Sequence, residues 1–495
     1  MAKGSLTVLL SLILVSVMTL LFTMSECIRF VSIDSMAQEY TDMAVESAFS
    51  EYNPYLWTNY KILAIDLGYG TDNLGPGILE TKTADYCQVN SNIDQGNNYA
   101  RLMVNGCEAS SYGLLTDGNG QVVMALGAKA AGYGIPSQLI DAYQANVDEI
   151  NGIEKVPVED NAKSSKNQLD GARAANAEAK RRAAEDDDPD TDPDDIPSPG
   201  SVEDDPFDAF NTIREVFSKG ILVTVISEDS MSDYEINTDQ LPSHRSLNTG
   251  SMEITESNGL VDKALFIDYL LANYSCYTNN LKHDGMQYEL EYLIAGNKSD
   301  VQNLASVVEQ ILLIREAANY MTILRTSSLE NQADAIAHIL AGFTLNEGII
   351  QAVKYGIIAA WAYAESTMDV RTLLSGGKIP IMKNLDQWSS DVYHLSTIAD
   401  VNTKAKESDT GIGYKEYLMA LLAIRSESTL GMRALDVMEN ALGHTEDYKS
   451  VKMDNMLYAA DMTLSFTSEE MFLSMFNQAE NTKGYFISKK KYLSY

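Results

Sequence analysis

Cysteine and histidine are scarce in this chain of 495 residues: four of the first and five of the second. Four cysteines exclude a small disulfide-stapled scaffold. Five scattered histidines argue against a metal site built from imidazoles, and no Cys-x-x-Cys or His-Glu-x-x-His occurs. Positive charge is also scarce. Lys and Arg number 36 against 70 Asp and Glu, a net charge of −34. A chain so acidic repels phosphate backbones, so no nucleic-acid partner is expected. No Gly-x-Ser-x-Gly is present, and no cofactor is expected. Hydrophobic residues are 45%, enough for a real core, and the length suggests two or three domains.

The one long uncharged run is Leu6 to Met24, 19 residues. That is close to the ~20 residues needed to cross a bilayer. Its polar residues are only hydroxyls (Thr7, Ser11, Ser16, Thr19, Thr23), which can bond back to their own helix. A cleaved secretory signal has a shorter apolar region, and Ser25-Glu26-Cys27-Ile28-Arg29 offers no small-x-small cleavage site. The sequence predicts a retained anchor in the cell membrane over residues 6–25, in contact with lipid. Lys3 and the amino terminus precede it. Arg29 beyond it is outweighed by Glu26 and Asp34. The positive-inside rule leaves residues 1–5 cytoplasmic and the bulk of the chain extracytoplasmic, a single-pass topology. At 100° per residue, Ser16, Thr19, Thr23 and Glu26 share a face on which another membrane helix could pack.

The helix is expected to continue as a stalk over residues 26–60. Phe30, Ile33, Ala37, Tyr40, Ala44 and Ala48 recur at helical spacing, acidic residues take the other faces, and Pro54 ends the pattern. Residues 61–150 read as a small α+β module. Within it Lys61 to Leu67 reads as a strand, Thr116 to Gly120 as a turn before an apolar run, and Pro136 to Ile150 as a helix. Cys87 and Cys107 could close a disulfide there. Residues 151–206 read as an acidic disordered linker: from Glu185 to Asp205 there are eleven acidic residues, no basic ones and four prolines. Alternating aspartates from Asp188 to Asp194 mimic a calcium loop, but the intervening prolines and the missing turn glycine favour a solvated spacer.

Residues 207–495 are expected to form a helix-rich α+β domain. Helices are predicted over 207–219, 260–274, 301–324, 329–343, 349–368 and 413–441, with a further helical pattern over 446–460. Strands are predicted over 220–226 and 288–294, the latter from the alternation of Tyr288, Leu290, Tyr292 and Ile294 with Glu289 and Glu291. The whole is α+β with helices dominant.

Ile65-Asp66-Leu67-Gly68-Tyr69-Gly70-Thr71 looks like the first phosphate loop of actin-like and Hsp70-like ATPases. It follows a membrane helix, however, and no second Asp-x-Gly follows it at the right spacing. Gly376-Gly377-Lys378 lacks the first glycine and the Ser/Thr of a P-loop and reads as a turn. His338 and His394 read as structural. Glu365 and Asp369, one helical turn apart, could serve as an acid pair in a surface hydrolase, but with Arg371 nearby an ion-pair cluster is favoured. Arg315 and Asn319 share a face and read as polar residues fixing helix packing.

The start, Lys3-Gly4-Ser5-Leu6-Thr7-Val8-Leu9-Leu10-Ser11-Leu12, resembles the TadE/TadG-like anchors of tight-adherence (Flp-type) pilus systems. The chain as a whole looks like an uncharacterised Gram-positive family of membrane-anchored proteins associated with such systems. Gly220-Ile221-Leu222, Leu241-Pro242-Ser243, Tyr288 to Gly296, Leu313 to Asn319, Ala362 to Lys378, Tyr414 to Leu418 and Met432 to Asp436 carry the resemblance. It implies a non-enzymatic surface component of pilus assembly, with pilin or pilus-platform membrane proteins as partners and no catalytic residues. It also implies prepilin-type cleavage between Gly4 and Ser5. Such cleavage would place Leu9 at the fifth mature position, where pilins usually carry Glu. A pilus-independent adhesin or sensor ectodomain is the competing expectation.

Overall fold

The computed structural model describes residues 2–91, 101–132, 156–185, 192–218, 231–253, 260–400, 402–472 and 484–495, with a few isolated positions between them. The fold is α+β and helix-rich, with thirteen α-helices and one small antiparallel sheet among the described residues. The chain divides into two compact units. The first comprises residues 1–130, 240–258 and 434–495, and the second 131–239 and 259–433.

The first unit is organised by α1 (Ala2–Phe49), a single helix of 48 residues. Its first part is bare: Leu6 to Met24 holds no buried residue, and its hydrophobic side chains are largely exposed. Its second part is core. Ile33, Ala37, Tyr40, Ala44, Val45, Ala48 and Phe49 are all buried against Leu457, Ala460, Met462, Leu464 and Phe466 of the sheet. The predicted stalk is therefore an inside element, and it ends at Phe49, earlier than expected. Asn53 then caps α2 (Pro54–Tyr60) by accepting the N–H groups of Tyr55 and Leu56, with Pro54 at the first helical position.

The sheet joins the two ends of the chain. β1 is only Ile65–Asp66, shorter than the predicted strand, and α3 (Gly77–Asn90) and β2 (Met103–Leu114) follow. β3 (Met456–Ser468) is the central strand. It pairs antiparallel with β2 (Cys107 opposite Leu464), with β1 (Ile65 opposite Leu457) and with β4, Tyr485–Ser494 (Ile487 opposite Phe466). Residues 446–460, expected to be helical, instead hold two single 3₁₀ turns and the start of β3. β4 carries Lys489, Lys490 and Lys491. Lys489 pairs with Asp34 (2.8 Å) and Lys491 with Asp42 (3.2 Å) of α1, so the charges that guard a strand edge also hold the helix on it. The predicted turn at Thr116 to Gly120 is present, with Gly118, Asn119 and Gly120 all at positive φ; the apolar run after it is helix α4 (Gln121–Ala131). The predicted helix at 136–150 and strand at 220–226 lie outside the described residues, isolated positions apart.

The predicted boundaries are corrected accordingly. Residues 61–150 are not a module of their own and residues 207–495 are not one domain, because β3 and β4 complete the sheet that β1 and β2 begin. The linker is corrected as well. Residues 158–185 form α5 (Val158–Glu185), whose Val158, Ala162, Ser165 and Leu169 are buried at spacings of four, three and four. Composition suggested a spacer, but helical periodicity prevailed.

The second unit is built around α11 (Glu347–Leu374), buried from Gly356 to Leu374 on all sides. Packed on it are α5, α6 (Pro206–Ser218), α9 (Asp300–Arg325) and α10 (Ser327–Ala341). Small residues permit the close approach: a Cβ on Gly356 would lie 2.3 Å from Cβ of Ser165 on α5. The remaining helices are α7 (Leu260–Asn273), α8 (Glu289–Ala295), α12 (Tyr414–Ala423) and α13 (Glu427–His444), the last entering the first unit at Ala434. α8 replaces the predicted strand. All of Glu289 to Ile294 is buried, so the alternation of charge marked no solvent face. Glu289 instead accepts the Ser275 N–H (2.6 Å), and Glu291 accepts the Tyr277 N–H (3.0 Å) and the Tyr414 hydroxyl (2.7 Å).

Candidate functional site

Two regions hold the residues that the sequence singles out. The first is α1 near its exit from the apolar run. Gly4 and Ser5 lie in the first turns of this helix. Ser16, Thr19 and Thr23 are exposed on it, and the Thr19 and Thr23 hydroxyls donate to the carbonyls of Val15 (2.7 Å) and Thr19 (2.8 Å). Glu26 departs from the expected face. It is 2% exposed. Its carboxylate accepts the N–H groups of Phe472 (2.6 Å) and Met471 (3.3 Å) and pairs with Arg29 at 2.8 Å. Arg29 reaches the Ser468 hydroxyl at the end of β3 (2.7 Å). Phe22 stacks on Phe472. Glu26 is thus a clamp between α1 and the end of β3, and the open face ends at Thr23. No periodicity could reveal this, since the partners are more than 400 residues away.

Cys87 and Cys107 both belong to the core of the first unit, yet all four cysteines are free thiols, so the disulfide expected there is not formed in this structure. Burial pushes the thiols of Cys87 and Cys107 up to about 12. Asp66 of the phosphate-loop look-alike is used by its own turn. It accepts the N–H groups of Gly68 (2.9 Å) and Gly70 (2.8 Å).

The second region is a fully buried ionic network in the second unit. Asp369 Oδ2 accepts from Arg315 (2.8 and 3.0 Å) and from Asn319 (2.8 Å), and its Oδ1 pairs with Lys383 at 2.5 Å. Lys383 also pairs with Glu365, which accepts the N–H groups of Ser389 (3.1 Å) and Ser390 (2.7 Å). Arg315 spends its remaining donors on the carbonyls of Pro380 and Ile381, both at 2.8 Å. Burial alone would raise the Asp369 carboxyl, but Lys383 and Arg315 outweigh it and hold it below the usual range. The Arg315, Asp369, Lys383 and Glu365 side chains are all fully buried. Two cations match two anions with almost every lone pair engaged, which ties α9, α11 and the segment after α11 together. The Arg315–Asn319 reading is met. The ion-pair reading of Glu365 and Asp369 holds with other partners, because Arg371 turns to the carbonyls of Ile398 and Asp400 (both 2.9 Å). Neither carboxylate reaches solvent as a hydrolase acid would. Gly376 is the positive-φ residue of a turn after α11 (φ 89°). His338 and His394 are exposed, contrary to the structural roles expected of them.

Comparison with family models matches residues 200–468 to one described as "Family of unknown function (DUF5702)". The chain belongs to that family. Neither the curated proteins nor the solved structures include a match. Within the DUF5702 match lie the whole of the buried ionic network and the central strand β3. α1 lies outside it. Among the described residues no group of His, Cys, Asp and Glu is placed to hold a metal ion.

Proposed function

We propose that this protein is a membrane-anchored, extracytoplasmic component of a tight-adherence type pilus system, pilin-like or accessory to assembly, acting by protein–protein contact. The observation that carries the proposal is the division of α1. Its one 18-residue window of mean hydropathy 2.5 is 0% buried, and among the described helices no other is long and apolar enough to cross a membrane. The same helix becomes buried core from Ile33 onward. A helix bare at one end and built in at the other transmits the position of the membrane to the folded part without a flexible joint. The flanks support the outward orientation: Arg29 is neutralised by Glu26, which leaves Lys3 and the amino terminus as the uncompensated positive end. Ser16, Thr19 and Thr23 give the membrane segment a face of small hydroxyl residues for a pilin or platform helix.

The test is the N-terminal sequence of the native protein, by mass spectrometry, in sheared surface material and in membranes, together with filament counts in a strain lacking it. Loss of surface filaments is expected. A chain starting at Ser5 in the sheared fraction would make it a filament subunit, and an intact start confined to membranes would make it a fixed assembly factor. Unchanged filaments would leave a pilus-independent ectodomain instead.

A further inference from the structure

The largest opening described in the second unit is a cleft of about 560 Å³ between the start of α5, α6, α9 and Tyr363 of α11. Along α9 it is lined at helical spacing by Glu309, Leu312, Leu313 and Glu316, and across from these stand Glu159, Asp160 and Arg214. Glu159 is already engaged, by Lys163 (2.7 Å) and by Arg214. Glu316 is different. It is 4% exposed, it lines the cleft, and it has neither hydrogen bond nor ion pair among the described residues. A buried carboxylate without a partner costs several kcal/mol unless it is neutral or finds a cation, roughly as for any unpaired buried ion. Asp160 and Glu309 at the rim are likewise uncompensated. An anion would meet three free carboxylates and an arginine already committed to Glu159.

We propose that this cleft binds a cationic group carried on an aliphatic stem, an alkylammonium such as a lysine side chain, with Glu316 receiving the cation and Leu312 and Leu313 covering the stem. Glu309 lies seven residues before Glu316, about 10 Å along the helix at ~1.5 Å per residue, so the rim carboxylates attract the cation and Glu316 holds it at the floor. Burial, reinforced by the charge of Glu159, pushes the empty Glu316 up to about 8. At pH 7 the free carboxyl is thus mostly protonated, and the arriving cation ionises it. Binding releases close to one proton, and affinity rises as pH approaches 8. The groups facing Glu316 in this titration are Glu159, Asp160, Arg214, Glu309 and Tyr363.

Full-length protein in detergent micelles is titrated calorimetrically at pH 7 with Nα-acetyl-lysine methylamide, with n-pentylammonium, and with neutral Nα-acetyl-norleucine methylamide. Two buffers of different ionisation heat are used. Expected is binding of the lysine amide with proton release and none of the norleucine amide. Pentylammonium binding equally well would identify a free amine as a sufficient ligand, and weaker binding a peptide side chain as the better one. Glu316→Gln is expected to weaken binding at least tenfold and to abolish the buffer dependence. Glu309→Gln, at an exposed position, is expected to weaken binding severalfold and to keep the proton release, which decides the matter should the Glu316 variant not fold. Equal binding of the norleucine amide, binding without proton release, a folded Glu316 variant with unchanged affinity, or no heat from either cation at ~10 mM, where even millimolar affinity would show, overturns the proposal.

Discussion

Asp369 illustrates what a single side chain does in this fold. Its two oxygens receive Arg315, Asn319 and Lys383, and no water reaches any of them. Replacing the pair of cations and anions by apolar residues could be neutral, but removing one member leaves a buried charge unmatched. Asp369→Asn is therefore expected to destabilise the protein by about 3–5 kcal/mol, read as a lower urea midpoint. Lys449→Met, which breaks the exposed Lys449–Glu446 pair, is the control and is expected to leave the midpoint in place. Equal effects would mean the network is no more than a surface ion pair in energetic terms. Spacing was enough to place Arg315 and Asn319 on one helix face. It could not supply Lys383, which has no periodic relation to either.

At the scale of the element, α5 shows how composition and periodicity compete. The stretch ends in a run of acids and prolines, and that run governs its average character. Within Val158–Glu185, however, the buried positions follow a helical stripe that docks on α11. The contact depends on Gly356, where any side chain would meet Ser165. Gly356→Val is expected to cost about 1–3 kcal/mol by overpacking and to loosen α5 selectively. Trypsin should cut the native protein slowly at Lys163, Lys166 and Arg173 and the variant more than ~10-fold faster, since local release of a segment sets its proteolysis. Rapid cutting of the native protein at these sites would restore the spacer reading. α8 is the converse case. Its short alternation of apolar and acidic residues has the period of a strand, but the acids are inward acceptors for backbone N–H groups and a hydroxyl, so polarity there does not report exposure.

Across the whole molecule, the division of α1 determines which truncations survive. Deleting residues 2–24 removes only side chains that the fold leaves bare. That variant is expected to be released from membranes with its thermal unfolding transition intact. Deleting residues 2–49 also removes the core side chains from Ile33 to Phe49. Each large one is worth about 1.5–3 kcal/mol of burial, against a total domain stability of about 5–15 kcal/mol. The longer deletion is expected to lose that transition and aggregate, as seen by circular dichroism and gel filtration. A folded, soluble product of the longer deletion would refute the assignment of α1 to the core.

The sequence by itself determined the apolar anchor run, most of the helices of the second unit and the α+β character. Those features rest on local periodicity: a helix closes its hydrogen bonds within four residues, and an apolar run of sufficient length is legible without any partner. The tertiary structure alone decided that Ile65–Asp66 and Met103–Leu114 pair with Met456–Ser468, that Glu26 meets Phe472, and that Asp369 meets Arg315 and Lys383. It alone decided that Glu316 meets no partner at all. A strand takes its hydrogen bonds from another segment, and a buried charge takes its counter-ion from whichever element packs over it. In this chain those segments lie from 14 to more than 400 residues away, and no pattern within a single stretch encodes that distance.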